Sequence, residues 1–284
     1  MPELPEVETV KRGLQPYLEG AILSEVTLNR PDLRFPFPDR MVDRLTGARI
    51  THLGRRAKYL VAQTDREETL VMHLGMSGRF TVEDPTEVAP ETPGAFVHAQ
   101  PTLTRHDHLI FRTDRDVRIT FNDPRRFGYV KMYAPGEGDP FTGIGPEPLS
   151  NAFHADYLLS VLSGRMSPIK AALLDQKLIA GLGNIYVCEA LFQSGISPKR
   201  LSANVGRKRA DRLAPAIVDV LSRAIDAGGS SLKDYAHADG SLGYFQHSFS
   251  VYGREGAPCR ACESQIQRIV QSGRSTFFCP NCQR

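Results

Sequence analysis

At 284 residues, with 41% hydrophobic and 24% charged side chains, the chain has an ordinary globular balance and room for one large or two ordinary domains. A formal net charge of +3 and a pI near 8.6 are mildly basic, and imply a polyanionic partner only if the charge is clustered. No apolar run approaches a membrane span and no signal-peptide pattern opens the chain, so a soluble cytoplasmic protein with no membrane partner is expected.

The chain opens Met1-Pro2-Glu3-Leu4-Pro5-Glu6, and from Pro5 the apolar positions Val7, Val10, Leu14, Tyr17 and Leu18 have the spacing of one buried helix face. Pro5 suits a first helical turn and Gly20 a helix end, so residues 2–4 lie at the positive end of a helix. A small residue at position 2 permits removal of Met1, which would expose a secondary amine. An α-amino group titrates near ~8 and a lysine near ~10.4, so such an amine is neutral far more often at neutral pH. Attack on an aldehyde would convert it into an iminium, an electron sink for elimination, and Glu3 beside it could move protons. Taken alone, the hexapeptide reads first as a helix start with an acidic first turn.

Short runs rich in Val, Ile, Phe and Tyr follow at 21–30, 48–64, 69–74, 109–113, 117–121 and 127–133, separated by Gly, Pro or Asp. Arg118, Thr120 and Asn122 alternate with Val117, Ile119 and Phe121, as in a half-buried strand. With no helical pattern between them, these strands should be antiparallel, in a sandwich or flattened barrel. The basic cluster Arg55-Arg56-Ala57-Lys58 precedes the apolar Tyr59, Leu60 and Val61. Residues 83–105 hold four prolines and read as an exposed loop, and the Pro/Gly-dense 134–150 reads as a linker.

Helical spacing then appears at 151–163, 167–176, 185–192 and 209–225, and residues 199–212 hold six basic side chains against one aspartate. A Gly/Ser-rich loop occupies 228–245. The expected organisation is an N-terminal β-sandwich domain at 1–133, the linker at 134–150, a helical domain at 151–245 and a terminal module at 246–284.

That module carries Cys259-x2-Cys262-x16-Cys279-x2-Cys282, a spacing suited to one structural Zn²⁺ held by four thiolates. So short a segment cannot bury a core of its own, and the metal must supply folding energy. Residues 265–270 and 275–278 should form a hairpin with 271–274 at its tip. Five arginines and two glutamates from Arg254 to Arg284 give +3, which the zinc-tetrathiolate charge reduces to +1. The hairpin thus presents individual arginines, Arg268 and Arg274, and is no general electrostatic magnet. Cys188 reads as a small core residue.

Several segments converge on one family: MPELPEVET at the start, RRAKYL at 55–60, HLGMSGRF at 73–80, DPRRFG at 123–128, GPEPL at 145–149, GLGNIYVCEALF at 181–192, GYF at 243–245, YGREGAPC at 252–259 and RSTFFCPNCQ at 274–283. Together they resemble the formamidopyrimidine-DNA glycosylases, bacterial enzymes that excise oxidised purines. The resemblance runs from end to end. It implies an α+β fold: an N-terminal helix on an eight-stranded antiparallel β-sandwich, a helical domain with a helix–two-turn–helix element, then a zinc finger.

Residue by residue, the resemblance implies that Pro2 is the nucleophile, Glu3 the acid for sugar-ring opening, Lys58 the proton donor for β-elimination, and Arg274 the residue of δ-elimination and phosphate contact. Met76, Arg125 and Phe127 match the trio inserted into the duplex when the damaged base is everted, and His106 matches a DNA-contacting position. Asn184, in a glycine-rich helix start, suits a phosphate. The basic residue that the family places just before Ser167 falls on Met166, with Arg165 beside it as the substitute. Glu6 is a candidate for base or backbone contact, or a first-turn acid. Residues 240–243 lack a lysine frequent in the family's base-capping loop.

The implied function is bifunctional: excision of oxidised purines opposite cytosine from double-stranded DNA, then β,δ-elimination, by a monomer associated with the bacterial nucleoid. Two rivals stand beside it. One is the sister glycosylase of endonuclease VIII type, which prefers oxidised pyrimidines and typically begins Pro-Glu-Gly-Pro-Glu, where this chain has Leu4. The other is a catalytically silent DNA-binding relative, against which Pro2, Glu3 and Lys58 together count.

Overall fold

Helix α1 (Leu4–Leu18) buries Val7, Val10, Leu14 and Leu18, the face that the spacing marks out, while Tyr17 packs half-buried at its margin. Each such side chain contributes about 1.5–3 kcal/mol when fully buried. The computed structural model of the chain describes residues 1–86, 103–230 and 245–284. These fall into two compact units, Met1–Thr142 with Ala227–Tyr244, and Gly143–Asp226 with Phe245–Arg284.

In the first unit α1 is followed by β1 (Leu23–Leu28), the short helix α2 (Met41–Leu45), β2 (Ile50–Arg56), β3 (Tyr59–Thr64), β4 (Thr69–His73), β5 (Arg79–Glu83), β6 (Asp107–Thr113), β7 (Arg118–Asn122) and β8 (Tyr129–Tyr133). The eight strands form two antiparallel four-stranded sheets, ordered β1-β6-β7-β5 and β2-β3-β4-β8. Val26, Phe80, Phe111 and Ile119 from the first sheet and Leu53, Leu60, Leu70 and Met72 from the second join the buried face of α1 in one core. This is the expected α+β sandwich.

The stretch 48–64 is two strands, because the chain reverses at Ala57-Lys58 and pairs Arg56 with Tyr59. Helix α2 has no counterpart in the sequence reading, since five residues are too few for a helical period to show. Strand β8 begins at Tyr129, two residues later than expected, because Phe127 and Gly128 belong to a loop held by Asp123. Most of the 83–105 stretch and of the 228–245 loop, including 240–243, lies outside the described residues.

The second unit holds α3 (Ala155–Leu162), α4 (Ile169–Leu173), α5 (Asn184–Gln193), α6 (Arg207–Asp226) and the hairpin of β9 (Gln267–Gln271) and β10 (Arg274–Phe278). Helix α4 is shorter than the expected 167–176. Pro168 is extended at its N-cap, and Asp175 folds back into a turn on Ala172. Helix α3 starts only at Ala155, where the His154 ring accepts from the Tyr157 N–H and caps it.

The hairpin closes through Ser272 and Gly273, with φ of 49° and 72°; two consecutive left-handed residues match the twist of the flanking strands.

Candidate active site and nucleic-acid interface

Within the first unit, Pro2 is buried and Glu3 is the N-cap of α1, 3% exposed. The Glu3 N–H donates to Glu6 Oε2 at 2.8 Å, and the Glu3 side chain accepts from the Glu6 backbone, a reciprocal capping box. The other oxygen of Glu6 accepts from the N–H and hydroxyl of Ser230 at 2.8 and 2.9 Å. Glu6 is thus a buried carboxylate in the first turn of α1, fastening the terminus of the helix to residue 230.

Two long-range ties orient β2 along α1. Leu53 N–H donates to Glu19 Oε2 at 2.8 Å beside the helix C-terminus, and Arg55 Nε pairs with Glu8 Oε2 at 3.0 Å in its N-terminal half. Strand β2 therefore runs toward the N-terminal end of α1, and the Ala57-Lys58 turn comes next. Ala57 adopts φ 52°, a left-handed conformation that costs a non-glycine residue about 1–2 kcal/mol. Arg55 Nη1 donates to the Ala57 carbonyl at 2.9 Å and holds the turn. Lys58, 7% exposed, is buried on it.

Next to Lys58 stands an aromatic cluster. His73 stacks on Tyr129 with centroids 5.2 Å apart, and Tyr59 lies tilted against it at 5.1 Å. Burial, with the positive charges of Lys58 and Arg34, holds His73 down to about 4, so its ring is neutral at pH 7. Its Nδ1 accepts the Gly75 N–H at 2.9 Å, which puts the ring proton on Nε2.

Gly75 opens the turn that carries Met76. That turn packs backbone to backbone against the 123–128 loop, which carries Arg125 and Phe127. Met76 and Phe127 are 37% and 43% exposed, and the Arg125 guanidinium lies 4.8 Å from the Phe127 ring centre. His106, whose carbonyl accepts the Asp123 N–H at 3.0 Å, adjoins the same loop. Two apolar side chains standing in solvent beside a guanidinium suit insertion between stacked bases.

In the second unit Arg274 is exposed at the first position of β10. Asn184 is the first residue of α5, after the extended Gly183, and its Nδ2 donates to the Ser275 carbonyl at 2.9 Å. Lys170 donates to the same carbonyl at 3.0 Å and to Thr276 Oγ1 at 2.6 Å. Arg165 is exposed, with Nε on the Val161 carbonyl at 2.6 Å, and Met166 is 72% exposed beside it.

The sulfurs of Cys259, Cys262, Cys279 and Cys282 all lie within 4.8 Å of one another, with Cys259–Cys282 at 3.9 Å and Cys262–Cys279 at 3.5 Å. A tetrahedral ion with Zn–S bonds of ~2.3 Å would set these separations near ~3.8 Å. Hydrogen bonds, first from Ser264 and then from Asn281, hold Cys262 down to about 5, while burial raises Cys279. As thiolates, four sulfurs this close would require a cation between them.

Three family models match along the chain: the formamidopyrimidine-DNA glycosylase N-terminal domain over residues 1–130, its H2TH domain over 144–236, and the zinc finger found in FPG and IleRS over 256–284. A formamidopyrimidine-DNA glycosylase of Ruegeria pomeroyi is 57% identical over the whole of both chains. The chain belongs to the formamidopyrimidine-DNA glycosylase family. A relative of the same name from Dinoroseobacter shibae is 55% identical over the whole of both chains. Among solved structures, the MutM (Fpg) protein of Thermus thermophilus is 38% identical with a TM-score of 0.82, covering 99% of this chain and 98% of that one. A Lactococcus lactis Fpg in complex with abasic-site DNA is 32% identical with a TM-score of 0.85, covering 99% of each chain.

A member of this glycosylase family is a DNA N-glycosylase of base repair, and its zinc finger explains the sulfur cluster: the four cysteines hold one structural Zn²⁺. Among the described residues no helix is long and apolar enough to cross a membrane.

Sequence reasoning missed Asp123, His73, Lys170 and Glu189. Glu189 accepts the N–H groups of Ser250, Val251 and Tyr252 at 2.8, 3.0 and 2.8 Å, fixing the strand of chain that leads into the zinc module. Asp123, Lys170 and Glu189 are buried by distant segments and His73 is partly buried, and only the Asp-Pro step at 123 carried a local signal, that of a turn.

Proposed function

We propose that the protein excises oxidised purines, 8-oxoguanine and formamidopyrimidines, from duplex DNA as a monomer and then cleaves the strand at the resulting abasic site. Its place of work is the DNA of the bacterial cytoplasm. Once Met1 is removed, the Pro2 nitrogen attacks C1′ of the damaged nucleotide. The N–C1′ bond forms, the glycosidic bond breaks, and the base leaves with the electron pair and takes up a proton. Glu3 delivers a proton to the ring oxygen as the sugar opens, leaving a cationic iminium between Pro2 and C1′.

The iminium then acts as the electron sink. Loss of a C2′ proton expels the 3′-phosphate, with Lys58 as the proton donor to the departing oxygen. A second loss of a proton expels the 5′-phosphate, whose charge Arg274 offsets, so a one-nucleotide gap remains. Asn184 and Arg165 serve the phosphate backbone. Met76, Arg125 and Phe127 fill the gap left by the everted base, and His106 touches the DNA nearby. The zinc centre takes no part in these steps; Zn²⁺ when bound holds the hairpin that bears Arg274.

One arrangement carries this reading: a buried Pro2-Glu3 step at the start of α1, with the turn that bears Lys58 at the same end of the helix. The test is borohydride trapping on duplexes with 8-oxoguanine, a formamidopyrimidine or thymine glycol. Covalent adducts on the two purine lesions are expected. Trapping on thymine glycol alone would assign the sister specificity, and no adduct on any lesion would leave only a DNA-binding relative.

A further inference from the structure

The turn at 74–78 and the loop at 123–128 are separated in sequence yet touch through bare backbone. A Cβ on Gly75, whose φ is +63°, would lie 2.3 Å from the Gly128 nitrogen and 2.4 Å from the Phe127 carbonyl carbon. One on Gly128 would lie 2.8 Å from the His73 carbonyl oxygen, so glycine on both sides lets the two segments meet.

Asp123, fully buried, bonds to every part of this junction. Its Oδ1 accepts the Ser77 hydroxyl at 2.5 Å and the Arg125 N–H at 3.3 Å, and its Oδ2 accepts the Gly128 N–H at 2.8 Å. Ser77 Oγ in turn accepts the Arg125 N–H at 3.2 Å. On its backbone, the Asp123 N–H donates to the His106 carbonyl, and its own carbonyl accepts His108 Nε2–H at 2.9 Å. One buried aspartate therefore ties the segments together, its carboxylate joining the Met76 turn to the Arg125–Phe127 loop and its backbone reaching the His106 segment.

We propose that Asp123, acting through Ser77, is the positioning residue for base eversion: it presets Met76, Arg125 and Phe127 as one rigid wedge. This rests on the reading above that the three side chains enter the duplex. A wedge that must order itself during insertion loses backbone entropy of about 1–2 kcal/mol per residue, on top of the cost of unstacking. A wedge already held by a charged acceptor meets only the second cost. The fixed element is needed when a stacked base has to be extruded. It is dispensable at an abasic site, which has no base to extrude.

The experiment compares two single-turnover rates, excision of 8-oxoguanine from a duplex and strand cleavage at a preformed abasic site, in wild type, Ser77→Ala and Asp123→Asn. Ser77→Ala deletes only the hydroxyl that joins the two segments, and Asp123→Asn replaces one of the two acceptor oxygens by a donor. Excision should fall about tenfold or more in both, the worth of a hydrogen bond to a charged group, while abasic-site cleavage stays at the wild-type rate.

A parallel fall of both rates would mean a general structural role and would overturn the proposal, as would unchanged excision in Ser77→Ala. If Asp123→Asn does not fold, Ser77→Ala alone decides. Failure of the underlying reading looks different: Met76→Ala would then leave wild-type excision intact.

Discussion

Lys170, 1% exposed, donates its ammonium to the hydroxyl of Thr276 at 2.6 Å across 106 positions of sequence. With Asn184 on the neighbouring Ser275 carbonyl, it fastens α4 and α5 to the base of β10, one residue beyond Arg274. Burying a lysine is costly unless its donors are satisfied, so this contact fixes the geometry of the hairpin more than it adds stability.

Replacing Lys170 separates the two contributions. Lys170→Met keeps most of the volume and leaves the Thr276 hydroxyl without this donor, an expected loss of about 1–3 kcal/mol. Lys170→Ala adds a cavity, worth roughly 2 kcal/mol more. Thermal unfolding of both variants measures the difference; equal losses would mean that hydrogen bonding, not packing, is the function of this side chain.

Zinc should matter to one unit and not the other. Chelation, or Cys279→Ser, leaves the remaining thiolates without their cation and the hairpin without its source of folding energy. DNA binding should be lost while the β-sandwich keeps its thermal transition. Gel-shift and calorimetry read the two outcomes, and undiminished affinity would contradict this role for the hairpin.

Stability should fall as the pH is lowered from about 6.5 toward 4 by way of His73. Its folded value is held down to about 4 from 6.5, so over that interval the unfolded chain takes up a proton that the folded chain refuses. A shift of this size amounts to about 3 kcal/mol, present above pH 6.5 and lost progressively below it. Denaturant titration across this range should give a shallower dependence in His73→Gln than in wild type.

Gly75→Ala should be severe for a single methyl group. The left-handed backbone costs alanine about 1–2 kcal/mol, and overpacking against the Phe127–Gly128 backbone adds about 1–3. A lowered melting temperature is expected, and a stability equal to wild type would mean that the two segments readily part.

Where function was legible in the sequence, it was carried by local pattern. The apolar spacing of Val7, Val10, Leu14 and Leu18 locates α1, alternation locates β7, and cysteine spacing locates the metal centre. What stayed hidden was set by distant partners. Glu6 bonds to Ser230 across 224 positions and Asp123 to Ser77 across 46, and neither charge on a linear sequence signals burial. The strand orders β1-β6-β7-β5 and β2-β3-β4-β8 are likewise a matter of packing, as every strand reads alike in isolation. For α2 the obstacle is length, since five residues complete little more than one turn, whereas α4 was legible and only its limits were set by packing.

All the chemistry proposed at the lesion turns on the amine of Pro2. Mass mapping of the borohydride-trapped complex on 8-oxoguanine duplex identifies the attacking nitrogen. The adduct should lie on a peptide beginning at Pro2, with Met1 absent, and a form retaining Met1 should fold normally yet trap nothing. An adduct on Lys58 or any other side chain, or full activity with Met1 in place, would refute the assignment.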